Sequence, residues 1–189
     1  MVSPSVFGQD HVEHFSLPAF DSGGLPVREP GLSIKSAKFK LSGPAVLVSK
    51  LNPHIPRVWL AQPEGSRPAV TSTEFVALSP NKDTCPIELL WAMCRTPLFS
   101  ISASGMVKGT TGSHQRVAPG DILRIAVQDP HDFSYVERDV IVTAARLSQS
   151  LRRESAKLAA TRDVLLPKLL RGELRVNDID SEALTETYT

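Results

Sequence analysis

The chain has 189 residues, 41% of them apolar and 22% charged, with a formal net charge of +1. That length accommodates one domain with its own core plus an extension, and the apolar share is ordinary for a globular chain. No apolar run approaches the roughly eighteen residues that a membrane helix needs, and residues 1–10 lack the basic-then-apolar order of a secretory leader.

The near-zero sum hides an uneven distribution. Arg28, Lys35, Lys38, Lys40, Lys50, Arg57 and Arg67 face only Glu29 and Glu64 over residues 28–67, whereas Glu173, Asp178, Asp180, Glu182 and Glu186 face Arg175 alone after Gly172. A solvated surface is the ordinary explanation of such a basic run, and its concentration in one half adds only a weak pointer to an anionic partner. Cys85 and Cys94 make neither a CxxC pair nor a zinc pattern. They read as core thiols on one helical segment, at home in a reducing cytoplasm.

In chain order, residues 13–21 read as an extended segment entering a turn at Asp21-Ser22-Gly23-Gly24, and a short extended piece precedes a turn at Pro30-Gly31. Ala45-Val46-Leu47-Val48-Ser49 is a short continuous apolar run, the mark of a buried strand. Val58-Trp59-Leu60-Ala61 is a second strand, and residues 69–78, rich in β-branched and aromatic side chains, a third. Pro86 suits a first helical turn, and Ile87, Leu90, Trp91, Cys94 and Leu98 follow at helical spacing. A glycine- and threonine-rich loop spans residues 105–112, residues 121–128 read as a last strand, and Asp129-Pro130 then breaks the chain. No internal repeat is present.

Residues 131–176 predict one long helix, a Pro-marked bend at Pro167 and a short basic end. Written as a heptad, one seam position holds Ala144, Leu151, Leu158 and Leu165, and the other Val140, Leu147, Glu154 and Thr161. A half-apolar seam still defines a stripe that must face another helix. Neither Pro nor Gly interrupts residues 134–163, a rod of roughly 45 Å at helical rise. The preceding domain is too small to bury it, so the seam is expected to meet a helix of another chain or of a missing half.

The stretch Thr161-Arg162-Asp163-Val164-Leu165-Leu166-Pro167-Lys168-Leu169-Leu170-Arg171-Gly172-Glu173-Leu174 resembles the end of the spacer in specificity subunits of type I restriction–modification systems, where R-D-x-L-L-P-K-L-x-x-G-E-L closes a target recognition domain and its long helix. Ser49-Lys50-Leu51-Asn52-Pro53, Pro56-Arg57-Val58-Trp59, Ser72-Thr73-Glu74-Phe75, Gly109-Thr110 and His114-Gln115-Arg116 resemble the core of such a domain, so the likeness runs from about residue 13 to residue 176. Two departures stand out. The family pattern P-P-x-x-E-Q-x-x-I at the helix start is replaced by Asp129-Pro130-His131-Asp132-Phe133-Ser134-Tyr135-Val136, without the Gln. Moreover, full specificity subunits carry two recognition domains and two long helices, against one of each here.

The resemblance implies an α/β (α+β) recognition domain over residues 1–130 with short strands and flanking helices, a coiled-coil-type spacer helix over 131–176, and an acidic tail over 177–189 expected to be disordered. It implies a cytoplasmic, non-catalytic subunit that recognises duplex DNA. Partners would be modification subunits, which bring S-adenosylmethionine and methylate adenine, and restriction subunits. This chain itself would hold no cofactor. As a half-size subunit it would pair with a second copy through Val140, Ala144, Leu147, Leu151, Leu158 and Leu165. Antiparallel pairing would rebuild the two-domain arrangement by two-fold symmetry and imply a split, palindromic target. A truncated or accessory recognition-domain cassette product, and an adaptor whose basic loop meets an acidic protein, are the rival readings.

The residues themselves point to where DNA would touch. Lys50, Asn52, His54 and Arg57 lie on a proline-stiffened loop between two strands. Lys and Arg supply charge to phosphates, Asn can bond an adenine edge bidentately and Arg a guanine edge. Lys35 and Lys38 extend the basic set, and Lys108, Thr110, His114, Gln115 and Arg116 form a second group in which backbone N–H groups of the loop can cradle phosphates. An ordinary turn with solvated charges explains the first group as well, and a surface loop the second. Glu74 reads as an ion-pair partner for a nearby Lys or Arg. His11, His14, His54, His114 and His131 show neither HExxH nor ligand spacing. GxSxG, GxxxxGK[ST] and nuclease- or methyltransferase-like motifs are absent, which lowers the expectation of an enzyme.

Overall fold

Continuous apolar runs decide the centre of this fold. The structure, a computed structural model, describes residues 1–80, 85–107 and 115–174. Among the described residues, seven short strands form two sheets: β1 (His11–Phe15), β2 (Val27–Pro30), β3 (Phe39–Leu41) and β6 (Ala69–Thr71) in one, and β4 (Ala45–Ser49), β5 (Val58–Ala61) and β7 (Phe75–Leu78) in the other. The order is β2-β1-β6-β3 in the first, with β1 and β6 parallel, and β5-β4-β7, all antiparallel, in the second. Helix α1 (Leu17–Asp21) follows β1, and α2 (Ile87–Cys94), α3 (Pro97–Gly105) and α4 (Pro119–Ile122) follow the strands. The long helix α5 (Tyr135–Leu170) closes the described chain.

Every residue of β4 is buried because the second sheet is covered on both faces. Leu47, Ala45 and Trp59 point to a core shared with Phe15, Leu41 and Ala69 of the first sheet, and Val46, Val48 and Val58 point to Cys94, Phe99 and Ile122 of the helices. A strand buried on both faces reads as an unbroken apolar run rather than an alternating one. Trp59 anchors the first core, with ring centroids of Phe15, Phe20 and Phe75 at 4.9, 5.7 and 6.2 Å. The outer face of the first sheet is closed by Val12, Val70 and Ile34, with Phe7 packed against them. There the chain passes so near itself that a Cβ on Gly31 would lie 2.4 Å from the Pro4 carbonyl oxygen, so only glycine fits.

Both thiols are inert core groups. Burial, with Cys85 nearby, pushes Cys94 up to about 12, and burial also raises Cys85.

Several local expectations are corrected. Residues 69–78 are two strands of different sheets, because Phe75 N–H closes a turn on the Ser72 carbonyl at 3.1 Å and re-aims the chain. The helix expected from residue 86 breaks at Arg95-Thr96, where Thr96 caps α3 by accepting from Phe99 N–H, and Cys85 precedes α2 instead of lying on it. Residues 17–21 are helical, capped by Ser16. Residues 121–128 are no strand: α4 ends at Ile122, and three-residue turns follow it. Ile122 and Ile125 are buried while Leu123 and Val127 are exposed, which is turn spacing rather than alternation.

The chain divides into two compact units, residues 1–147 and 148–189. In the first, α5 starts at a complete capping box: Ser134 N–H donates to Glu137 Oε2 at 2.8 Å and Glu137 N–H to Ser134 Oγ at 3.3 Å. Ile141 packs with Leu89, Met93 and Phe133, Ala145 is buried, and Arg146 Nε donates to the buried Glu88 Oε1 at 2.8 Å. In the second unit the helix runs on through Pro167, so the expected bend at that proline is absent. It stops instead at Gly172 (φ 70°), where Glu173 N–H reaches Lys168 O and Gly172 N–H reaches Leu169 O. The acidic tail 177–189 lies outside the described residues.

Candidate nucleic-acid interface

The loop between β4 and β5 is built to hold one shape. Leu51 makes a bridge with Arg116, Asn52 N–H donates to Gln115 O at 2.8 Å, and Val117 N–H donates to Lys50 O at 3.1 Å. Lys50 N–H in turn donates to the Glu74 carbonyl at 2.8 Å. Asn52 sits at φ 50°, a conformation that Asn tolerates better than most residues, and Ile55 N–H closes a turn onto its carbonyl. Pro53 is buried, leaving His54, Ile55 and Pro56 as the exposed tip. Asn52 Oδ1 is buried without a hydrogen-bond partner among the described residues.

Thus two groups more than 60 residues apart in sequence share one surface: Lys50 and Asn52 from the first, Gln115 and Arg116 from the second. Lys108, Thr110 and His114 lie outside the described residues. Lys35 is exposed on the connection into β3, in the other sheet. Lys38 on the same connection is buried, its ammonium bonded to the Ser36 carbonyl and hydroxyl. Burial lowers its pKa, opposed by the nearby Glu29 carboxylate. It is a structural tie rather than a free surface charge.

Two arginines of the predicted set carry bidentate carboxylate partners that distance in sequence conceals. Arg57 Nε and Nη2 donate to Asp21 Oδ1 and Oδ2 at 2.7 and 3.0 Å. Arg116 Nε and Nη2 donate to Glu74 Oε2 and Oε1 at 3.1 and 3.0 Å. Glu74, in the turn before β7, is therefore the ion-pair partner expected of it, and its hydrogen bonds, with its charge, raise the Arg116 pKa. Asp21 had no signal in the sequence beyond its place in a turn.

The seam residues of α5 stand on their own face. Val140, Leu151 and Leu158 are 60%, 54% and 52% exposed, Ala144 and Leu147 are exposed, and Leu165 is half-buried. Ile141 and Ala145, which face the domain, stand roughly a third of a turn round the helix from Val140, Ala144 and Leu147. Val140, Ala144 and Leu147 are thus additional to the face that docks on the domain. Among the described residues, no group of three His, Cys, Asp or Glu side chains is placed to hold a metal ion, and no helix is long and apolar enough to cross a membrane.

No family model matches this chain, and no curated protein is significantly similar to it. Solved structures are. The HsdS subunit from Thermoanaerobacter tengcongensis matches with a TM-score of 0.59 and 18% identity, over 95% of this chain and 47% of that one. A structure described as showing the complex assembly and conformational transition of the type I R-M system matches with a TM-score of 0.59 and 18% identity, over 94% of this chain and 47% of that one. At that identity the likeness is one of fold, and this chain spans about half the length of the chains it matches.

Proposed function

We propose that this chain is a DNA-recognition subunit of the HsdS type, which places modification and restriction subunits on a duplex target and performs no chemistry itself. The observation that carries this reading is the fold match: one domain plus one long helix aligns over 95% of this chain with 47% of an HsdS subunit. The sequence likeness in Arg162-Asp163-Val164-Leu165-Leu166-Pro167-Lys168-Leu169 and Gly172-Glu173-Leu174 agrees with it. In this reading residues 1–130 recognise DNA through the Lys50, Asn52, Gln115 and Arg116 surface, and residues 131–176 form the spacer. The unpartnered seam takes the same helix of a second copy, antiparallel, so that two recognition domains face two half-sites. S-adenosylmethionine belongs to the modification subunits.

The test is molar mass in solution, with and without the modification subunit encoded nearest to this chain. The expected result is a dimer that takes up two modification subunits, after which methylation sequencing reports a palindromic, interrupted target. A stable monomer that still binds a two-part site would remove the pairing. Binding to duplex DNA that falls steeply with salt and distinguishes sequences separates this function from a protein adaptor, which shows no sequence preference.

A further inference from the structure

Arg57 and Arg116 are held by the same chemistry yet presented differently. In both, the carboxylate takes the Nε/Nη2 edge of the guanidinium. The Arg57 side chain is only 15% exposed, against 49% for Arg116. Arg57 is therefore packed, tying the β4–β5 loop to α1 through Asp21. Arg116 is offered to solvent with its orientation already set. Two of the five guanidinium N–H donors are used by Glu74, and the Nη1/Nη2 end of the fork points away from that edge.

The rest of the pair is equally fixed. Glu74 and Arg116 flank residue 50, whose N–H bonds the Glu74 carbonyl and whose carbonyl accepts from Val117 N–H. Val117 is fully buried in the helical core. Glu74 N–H is itself held by Ser72 Oγ at 3.2 Å. The guanidinium thus loses little freedom when it meets a ligand.

The carboxylate also selects the kind of ligand. An arginine already neutralised by Glu74 gains little from a phosphate, because the pair displaces few counterions and the carboxylate repels the incoming anion. Neutral acceptors carry no such penalty. In duplex DNA, O6 and N7 of guanine are the neutral acceptor pair that matches the end of an arginine fork, in the major groove. We propose that Arg116 reads a guanine base edge and that Glu74 is the positioning residue which sets it and denies it to phosphates. This inference rests on the DNA-recognition reading above.

The experiment is selection of duplexes from a randomised pool by the full chain, followed by binding curves over a salt series. Wild type is expected to enrich a motif containing a guanine at a fixed place. Arg116→Ala and Arg116→Lys are expected to lose preference at that place alone, with discrimination falling roughly 5- to 150-fold. Lysine lacks the fork and does not rescue it. Glu74→Ala is expected to weaken discrimination at the same place while binding random duplex more tightly, with the salt slope steepened by about one phosphate equivalent. Because these variants alter a surface pair, 7-deazaguanine at the enriched place provides a test on unaltered protein. It is expected to cost wild type a large part of what Arg116→Ala costs, and to cost Arg116→Ala little more. An Arg116→Ala variant that keeps the wild-type motif but loses about one unit of salt slope would make Arg116 a phosphate contact and overturn the assignment. Enrichment of no motif by wild type would overturn the recognition reading itself, and this inference with it.

Discussion

Strand β4 and the seam of α5 are both apolar, but the chain treats them in opposite ways. In β4 each side chain has a neighbour within the same chain: Leu47 pairs across the ladder with Trp59, and Val46 with Leu60. Along α5, Leu151 and Leu158 remain more than half exposed although the helix carries them at regular spacing. A sheet covered on both faces satisfies its own apolar run, whereas a single helix can present only part of its circumference to one domain. In α5 that part is the face of Ile141 and Ala145. The contrast separates residues that specify the fold from residues that the fold leaves exposed.

The sharpest break is a substitution in the strand. Leu47→Ala removes a fully buried side chain from between Phe15, Trp59 and Phe75 and is expected to cost ~2–5 kcal/mol in urea unfolding. A loss below about 1 kcal/mol would mean that the two-sheet core is not where the stability resides. The next effect in size lies where α5 docks. Arg146→Ala leaves the buried Glu88 carboxylate without its partner, and because Arg146 itself is mostly exposed the loss is expected to be measurable but well below that of Leu47→Ala. Replacing both residues by Ala should recover part of that loss. A double variant that simply adds the two single effects would show that the pair is not coupled.

What was legible follows the same division. Residues 45–49 and 58–61 were readable as strands because an apolar run bounded by Lys50 and Gln62 has few alternatives of that length. The helix was readable from its seam and from the absence of Pro and Gly over residues 134–163, whereas its Ser134/Glu137 box and its Gly172 stop emerge from the structure. Residues 69–78 were misread because the switch between sheets at Ser72 depends on a carbonyl from β1, more than 50 residues away, which accepts from Ser72 N–H. Residues 121–128 misled because Leu123 and Val127, although apolar, face outward. At the candidate interface the residue types were readable and their pairing was not. Asp21 and Glu74 lie 36 and 42 positions from the arginines they hold, and only the folded chain brings them together.

On the seam, the expected effect moves from folding to association. Leu151→Glu and Leu158→Glu place charge on an exposed stripe, so unfolding free energy is expected to shift by no more than about 0.5 kcal/mol. Self-association measured by sedimentation should nevertheless be lost. If either variant unfolds the chain like Leu47→Ala, the seam belongs to the core and the contrast drawn between the two regions fails.

The smallest effect sits where α5 begins. Hydrogen bonds from the Ser134 hydroxyl and backbone N–H hold the Glu137 carboxyl below its ordinary value of 4.5. A group depressed on folding contributes stability above its unfolded pKa and loses it as pH falls through the folded value. The first turn of α5 should therefore fray below about pH 4.5, visible as faster amide exchange after correction for the intrinsic pH dependence. Glu137→Gln keeps an acceptor for Ser134 but removes the titration, so its first turn should show the same protection on both sides of that pH. Equal fraying of wild type and Glu137→Gln on acidification would assign the loss to charges elsewhere on the helix. The capping box would then be a geometric stop without an electrostatic share.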